Sequence, residues 1–133
     1  MIVIDSSVAL QWVLPEPDGE RSRSYLGAPD TTAPDIILIE VANVLAKKVR
    51  ADQMTADEAK VALSIVQDGI GRVAESAPLV HRSLELSVQL SHPVYDCVFL
   101  ACAERHGRLA TRDAPFIRRL TERGFGHLLE PTL

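Results

Sequence analysis

Asp96 stands in the segment SHPVYDCVFLACAERHG, where every residue from Val94 to Ala103 except the aspartate is apolar or weakly polar. On a helical period its neighbours are Phe99, Leu100 and Ala103, so the carboxylate falls inside the apolar stripe, not opposite it. Buried and unpaired, it would consume a large share of the roughly 5–15 kcal/mol that stabilises a domain. It must be protonated, paired with a cation or bound to a metal. Three other acids occupy positions of interest. Asp5 ends the apolar run MIVI, Asp113 follows RLATR, and Glu40 lies in IILIEVANVLAKKVR. Each has a plainer use. Asp5 and Asp113 are placed as helix N-caps, although Ser6 or Ser7 would cap as well as Asp5. Glu40, Asn43, Lys47 and Arg50 form one polar stripe, as a solvent-facing helix side does.

Taken together, the four acids suggest specific chemistry. Carboxylates gathered in one cleft repel, and each raises its neighbours' pKa unless positive charge is present. Oxygen donors without histidine or cysteine favour Mg²⁺ or Mn²⁺ over zinc. Such ions support in-line attack on a phosphodiester by lowering the pKa of a bound water and stabilising charge on the attacking and leaving oxygens. Asp5, Glu40, Asp96 and Asp113 are therefore the candidate catalytic and metal-binding residues. Ser6 and Thr111 are hydroxyls within two residues of an acid, placed either to orient it or to serve a local turn. Asn43, one turn after Glu40, is either an amide beside the site or solvent-facing. The histidines, His81, His92, His106 and His127, are scattered and read as structural or exposed. Cys97 and Cys102 match no zinc spacing and read as buried, inert thiols. Trp12 reads as core.

The elements that must position these groups alternate between strand and helix. Residues 1–5 read as a buried strand, and SSVALQWVL as a helix stopped by Pro15. A short helix over 18–26 precedes GAPDTTAPD, read as a loop. A helix spans 35–51 with the stripe Ile37, Val41, Leu45, Val49, and a capping box at Thr55 and Glu58 opens the next, to about residue 68. A short strand lies around 72–74, and helices cover 79–90 and 94–106, the second closed by Gly107. A strand over 108–111, a helix over 114–123 and a last strand at 127–129 complete the chain. Strands separated by helices argue for an α/β domain with a central parallel sheet and helices on both faces. Sites in such sheets form outside the carboxyl ends of the strands. Asp5 and Asp113 both fall there.

The totals agree with one domain over residues 1–133, without repeats or linkers, large enough to bury roughly two-thirds of its unfolded surface. No apolar run reaches the roughly 20 residues that span a bilayer, and MIVIDSS has no basic leader, so a cytoplasmic location is expected. The net charge is −4, but it is unevenly placed: 7 basic against 12 acidic residues up to position 80, then 7 against 6, the later basic residues all being arginine. Arginine suits bidentate phosphate contact better than lysine.

These same residues carry a family likeness. The chain resembles PIN-domain ribonucleases, and among them the VapC toxins of bacterial and archaeal type II toxin–antitoxin pairs. The matching segments are IVIDSSVALQWVLPE, IEVANVLAKK, PVYDCVFLACAERHG and LATRDAPF, spread over nearly the whole chain. The resemblance implies a single PIN-like domain in which Asp5, Glu40, Asp96 and Asp113 bind Mg²⁺ or Mn²⁺, Ser6 and Thr111 are the accompanying hydroxyls, and Asn43 is the amide beside the site. It further implies cleavage of RNA, a homodimer, and inhibition by a cognate VapB-type antitoxin through which operator DNA is bound. Arg112, Arg118 and Arg119 are then the candidates for holding RNA at the rim. Two rival readings are a catalytically inert PIN-like interaction module and a Mg²⁺-dependent phosphoryl-transfer domain of the receiver or haloacid-dehalogenase type. Against the latter, Asp5-Ser6-Ser7 is not an Asp-x-Asp, and the lysines, Lys47, Lys48 and Lys60, all precede the later strands.

Overall fold

Val3 and Ile4 of the opening run have no exposed surface. A strand buried on both faces needs cover on both, which a parallel sheet flanked by helices supplies. The computed structural model, which describes residues 1–131, has that arrangement. Strand β1 (Ile2–Ile4) leads through α1 (Ser6–Leu10) and the single turn α2 (Glu20–Arg23) to β2 (Thr31–Pro34). Helices α3 (Ile36–Arg50) and α4 (Ala56–Gly69) connect β2 to β3 (Arg72–Ala74). Then α5 (Val80–Leu90) and α6 (Val94–His106) return the chain to β4 (Arg108–Ala110), and α7 (Ala114–Glu122) follows.

Among the described residues the sheet has four parallel strands in the order β3-β2-β1-β4. The chain steps outward from β1 to β2 to β3, then crosses back to β4 on the far side of β1. Right-handed crossovers in opposite directions put α1–α4 on one face and α5–α6 on the other. The reversal lies between β1 and β4, so a crevice opens at their carboxyl ends. Helix α6 lies across β1, β2 and β4, with α5 against its outer side. From Cys97 to Ala103 every residue of α6 is buried, the condition of a helix apolar all round. The capping box of α4 is present, with the Thr55 hydroxyl accepting from the Glu58 N–H and the Glu58 carboxylate from the Thr55 N–H.

Two expectations are corrected. GAPDTTAPD is not all loop: Thr31–Pro34 forms β2, an interior strand with all four residues buried. Its hydroxyls disguise it, and burial is tolerated because each has a partner. Thr31 donates to the Ala28 carbonyl and Thr32 to the Arg72 carbonyl, both at 2.8 Å. Residues 127–129, read as a strand, instead fold into a 3₁₀ turn, Gly126–Leu128, with one isolated parallel bridge from Leu129 to Leu109. The Phe125 carbonyl captures the Leu128 N–H at 3.0 Å, so only one residue is left to pair.

Gly107 connects the central helix to β4 at φ 148°, ψ −126°. It is not the left-handed cap residue that the sequence suggests. Its conformation lets the chain pass against Met1, whose carbonyl accepts the Arg108 N–H at 3.2 Å. An added Cβ would collide with that carbonyl. Gly27, at φ 79°, has open space around the same position. Gly107→Ala is therefore expected to cost about 2–3 kcal/mol or more, and Gly27→Ala about 1–2 kcal/mol. Urea unfolding of the two variants checks this, and equal losses would contradict the close approach.

Candidate active site

The site is built at the carboxyl end of β1. Asp5 leaves the strand in an extended conformation (φ −97°, ψ 175°) and is the N-cap of α1. Its Oδ1 accepts the Val8 N–H at 3.2 Å and the Ser7 hydroxyl at 2.6 Å, and the Thr111 hydroxyl donates to the same carboxylate. Asp5, not Ser6 or Ser7, is thus the cap. The two serines are freed for other contacts. Ser7 also accepts the Arg112 N–H at 2.8 Å, tying the ends of β1 and β4 together. Ser6 donates to Glu40 Oε1 at 3.1 Å, bringing α3 to the same crevice. Asn43, Lys47 and Arg50 are exposed, but the first member of their stripe, Glu40, is half-buried beside Ser6.

Asp96 corrects a further expectation. It is not sealed in the core but sits in the first turn of α6, just before the buried stretch begins. Its side chain is 31% exposed, and Oδ2 lies 2.6 Å from His92 Nε2. The His92 ring also stacks on Phe116, with centroids 4.5 Å apart. His92 was overlooked as a scattered histidine. The signal available in the sequence is its position four residues before Asp96.

Asp113 realises its plainer use as the N-cap of α7, accepting the Phe116 N–H at 3.1 Å. Its own N–H donates to Thr111 Oγ1 at 3.2 Å, so Thr111 connects Asp113 to Asp5. Strands β1 and β4 are paired neighbours, which brings these two chain ends to one edge.

The electrostatics are unfavourable by design of the packing. Burial pushes the Asp5 carboxyl up from 3.8 to about 6, with the charge of Asp96 adding to it and the bonds from Ser7, Thr111 and Val8 opposing. Burial pushes Glu40 up from 4.5 to about 7; Ser6 opposes, while Asp96 and Asp5 both raise it. Asp5, Glu40 and Asp96 thus lie close enough to act on one another through their charge. Among the described residues no lysine or arginine forms an ion pair with any of them. Their donor set, hard oxygens with uncompensated negative charge, fits Mg²⁺ or Mn²⁺. No three such side chains among the described residues converge into a ready-made cation cluster.

The arginines expected at the rim have unequal circumstances. Arg112 donates to the Asp18 carbonyl at 3.2 Å and Arg119 to the Leu90 carbonyl at 2.8 Å, whereas Arg118 is exposed. Trp12 is core, its indole N–H donating to the Ser22 carbonyl at 2.6 Å. Cys97 and Cys102 are free, buried and pushed up to about 11 by burial, so both are inert thiols. No described helix is long and apolar enough to cross a membrane.

Comparison with known proteins adds a family and a fold. The family model for the PIN domain matches residues 2–120. The crystal structure of PAE2754 from Pyrobaculum aerophilum is similar in fold, with a TM-score of 0.66 and 21% identity, over 89% of this chain and 78% of that one. No curated protein matches the chain.

Asp5 and Glu40 hold their protons more tightly folded than unfolded. The stability tied to them is present in full below their ordinary values of 3.8 and 4.5, and is lost as pH rises through about 6 and about 7. In metal-free buffer the chain is expected to be more stable near pH 5 than near pH 8. Asp5 accounts for on the order of 1 kcal/mol of the difference, the rest of its contribution being lost already below pH 5, and the more exposed Glu40 adds an amount reduced by solvent screening. Urea unfolding at constant ionic strength checks this. Asp5→Asn should flatten the profile and added Mg²⁺ should restore stability at the higher pH only; an unchanged profile in the variant would refute the assignment.

Proposed function

This chain belongs to the PIN-domain family, and on that footing we propose that it is a Mg²⁺- or Mn²⁺-dependent endoribonuclease, the toxin of a type II VapBC pair. The PIN domain is generally a metal-dependent nuclease fold. One observation carries the reading beyond that: Asp5, Glu40 and Asp96, from three separate elements, raise one another's charge burden, and among the described residues no lysine or arginine is paired with any of them. A fold that needed only stability would replace at least one of them.

Asp5, Glu40, Asp96 and Asp113 are the residues that would hold the ion. A bound divalent cation supplies an acidified water and charge stabilisation for phosphodiester hydrolysis. The chain's own groups prepare for it. Asp5 is fixed by Val8, Ser7 and Thr111 and presents little entropy to lose. Ser6 orients Glu40, and Thr111 couples Asp113 to Asp5. Arg118 is exposed on α7, two residues after Phe116, and is a candidate for contact with a phosphate backbone. The neutral hydroxyl donors steady the carboxylates without cancelling their charge, which leaves a cation its full attraction.

The toxin assignment rests on the likeness to VapC proteins in the segments around Asp5, Glu40, Asp96 and Asp113. The same likeness supports a cognate VapB-type antitoxin, a homodimer, contact with operator DNA only through the antitoxin, and action in the cytoplasm.

Purified chain is expected to cut RNA with Mg²⁺ or Mn²⁺, to stop with EDTA, and to lose about a hundredfold or more in Asp96→Asn with its circular dichroism unchanged. Cleavage that survives EDTA would remove the metal mechanism. Hydrolysis of a small phosphate monoester without RNA cleavage would point to a phosphoryl-transfer domain, and metal binding without turnover to an inert module.

A further inference from the structure

The α5–α6 turn is built with more care than a connector needs. Ser91 takes a left-handed conformation (φ 49°) and Pro93 opens α6, so His92 is held between two restricted residues. Its N–H donates to the Ser87 carbonyl at 3.1 Å, and its carbonyl accepts the Ser87 hydroxyl at 2.5 Å. Helix α7 clamps the preceding turn of α5 from the other side. Arg119 donates to the Leu90 carbonyl at 2.8 Å and Arg123 to the Gln89 carbonyl at 3.0 Å, capping the end of α5. Phe116, buried in that same α7, supplies the surface on which the His92 ring stacks, the planes inclined by 23°. Helices α5, α6 and α7 thus meet at His92, with hydrogen bonds holding its backbone and Phe116 holding its ring.

That imidazole points at an acid. His92 Nε2 lies 2.6 Å from Asp96 Oδ2. In the tautomer that carries its proton on Nε2, the ring donates to that carboxylate oxygen. The histidine side chain is 14% exposed against 31% for the aspartate, which sets the ring behind the carboxylate with the carboxylate reaching further toward solvent. Stacking on Phe116 alone would be served equally by a phenyl ring; only the contact to Asp96 requires a nitrogen.

We infer that His92 is a positioning residue for Asp96: its Nε2–H fixes one carboxylate oxygen, sets the rotamer of the side chain and leaves Oδ1 for the divalent cation. The inference rests on the metal-dependent reading above. A carboxylate left unsupported at a half-exposed helix start must give up rotational freedom when it binds an ion, and it competes with water while doing so. Support from a fixed donor removes that cost in advance. Losses of about 10–100-fold in metal affinity are typical when such an outer partner is removed. His92 also joins the two later acids mechanically, because Phe116, on which it stacks, donates its N–H to Asp113. A shift of the ring would be felt by Asp96 directly and by Asp113 through α7.

The test uses the full chain with Mn²⁺ alone, free Mn²⁺ being counted by electron paramagnetic resonance, and thermal unfolding as the control for folding. His92→Phe keeps the stacking and removes the donor; it is expected to weaken Mn²⁺ binding about 10–100-fold with little change in Tm. His92→Gln, whose amide can reach Asp96, is expected to recover affinity to within about threefold of the parent. His92→Asn, with an amide too short to reach, is expected to bind as weakly as His92→Phe and serves in its place should the phenyl ring perturb folding. Affinity at the parent level in both Phe and Asn variants, with binding lost in Asp96→Asn, would overturn the role of His92 and leave the metal reading standing. Parent-level binding in Asp5→Asn and Asp96→Asn as well would overturn the metal reading itself, and the inference with it.

Discussion

Asp5 is 5% exposed and receives hydrogen bonds from a backbone amide and two hydroxyls, yet its carboxyl is still pushed up to about 6. Burial and the neighbouring charge of Asp96 outweigh three favourable bonds. Glu40 is in the same position, with one hydroxyl against burial and two acids. This concentration of negative charge, matched by no lysine or arginine among the described residues, is the constraint around which the site is arranged. It would be relieved by one arginine, and the chain has eleven; none is turned inward to these groups among the described residues. Instead the supporting contacts come from Ser6, Ser7 and Thr111, which orient oxygen atoms while leaving the charge in place.

The fold makes that concentration possible by meeting three demands at one edge. The reversal of strand order between β1 and β4 brings residues 5 and 113, more than a hundred positions apart, to adjacent strand ends. Helix α3 contributes Glu40 from one face and α6 contributes Asp96 from the other. Helix α6 is buried along seven consecutive residues, so its first turn is where a charge on its inner side can meet solvent. The tension in the amino-acid pattern around Asp96 is resolved by this position: the carboxylate belongs to the apolar stripe in angle but lies at its open end.

Arginines that might have been spent on nucleic acid are partly used as structural clamps. Arg119 and Arg123 satisfy the last carbonyls of α5, and Arg112 reaches the Asp18 carbonyl across the mouth of the α1–α2 connection. Guanidinium groups suit this work because several donors in a fixed plane can hold backbone oxygens while the stem packs against apolar neighbours. Arg118, the next residue along the helix from Ile117, faces outward instead. One short helix, itself capped by Asp113, thus stacks His92, pins α5 and exposes a cation.

Sequence alone determined the alternation of strand and helix, the span of the central helix, the capping box at Thr55, the inert thiols and the four acids worth examining. These follow from local rules: apolar period, cap chemistry, and the cost of burying a charge, each legible within a few residues. It misread β2, because Thr31 and Thr32 look polar until their hydroxyls find the Ala28 and Arg72 carbonyls, the latter forty residues away. It missed Ser7, whose hydroxyl bridges Asp5 and the Arg112 amide, and His92, whose value lies in a stacking partner on α7. Which acids repel one another, which hydroxyl serves which oxygen, and which arginines are already engaged were decided by tertiary structure only. Coulomb interaction and hydrogen bonding act over a few ångströms of space, and distance along the chain does not encode distance across a folded crevice.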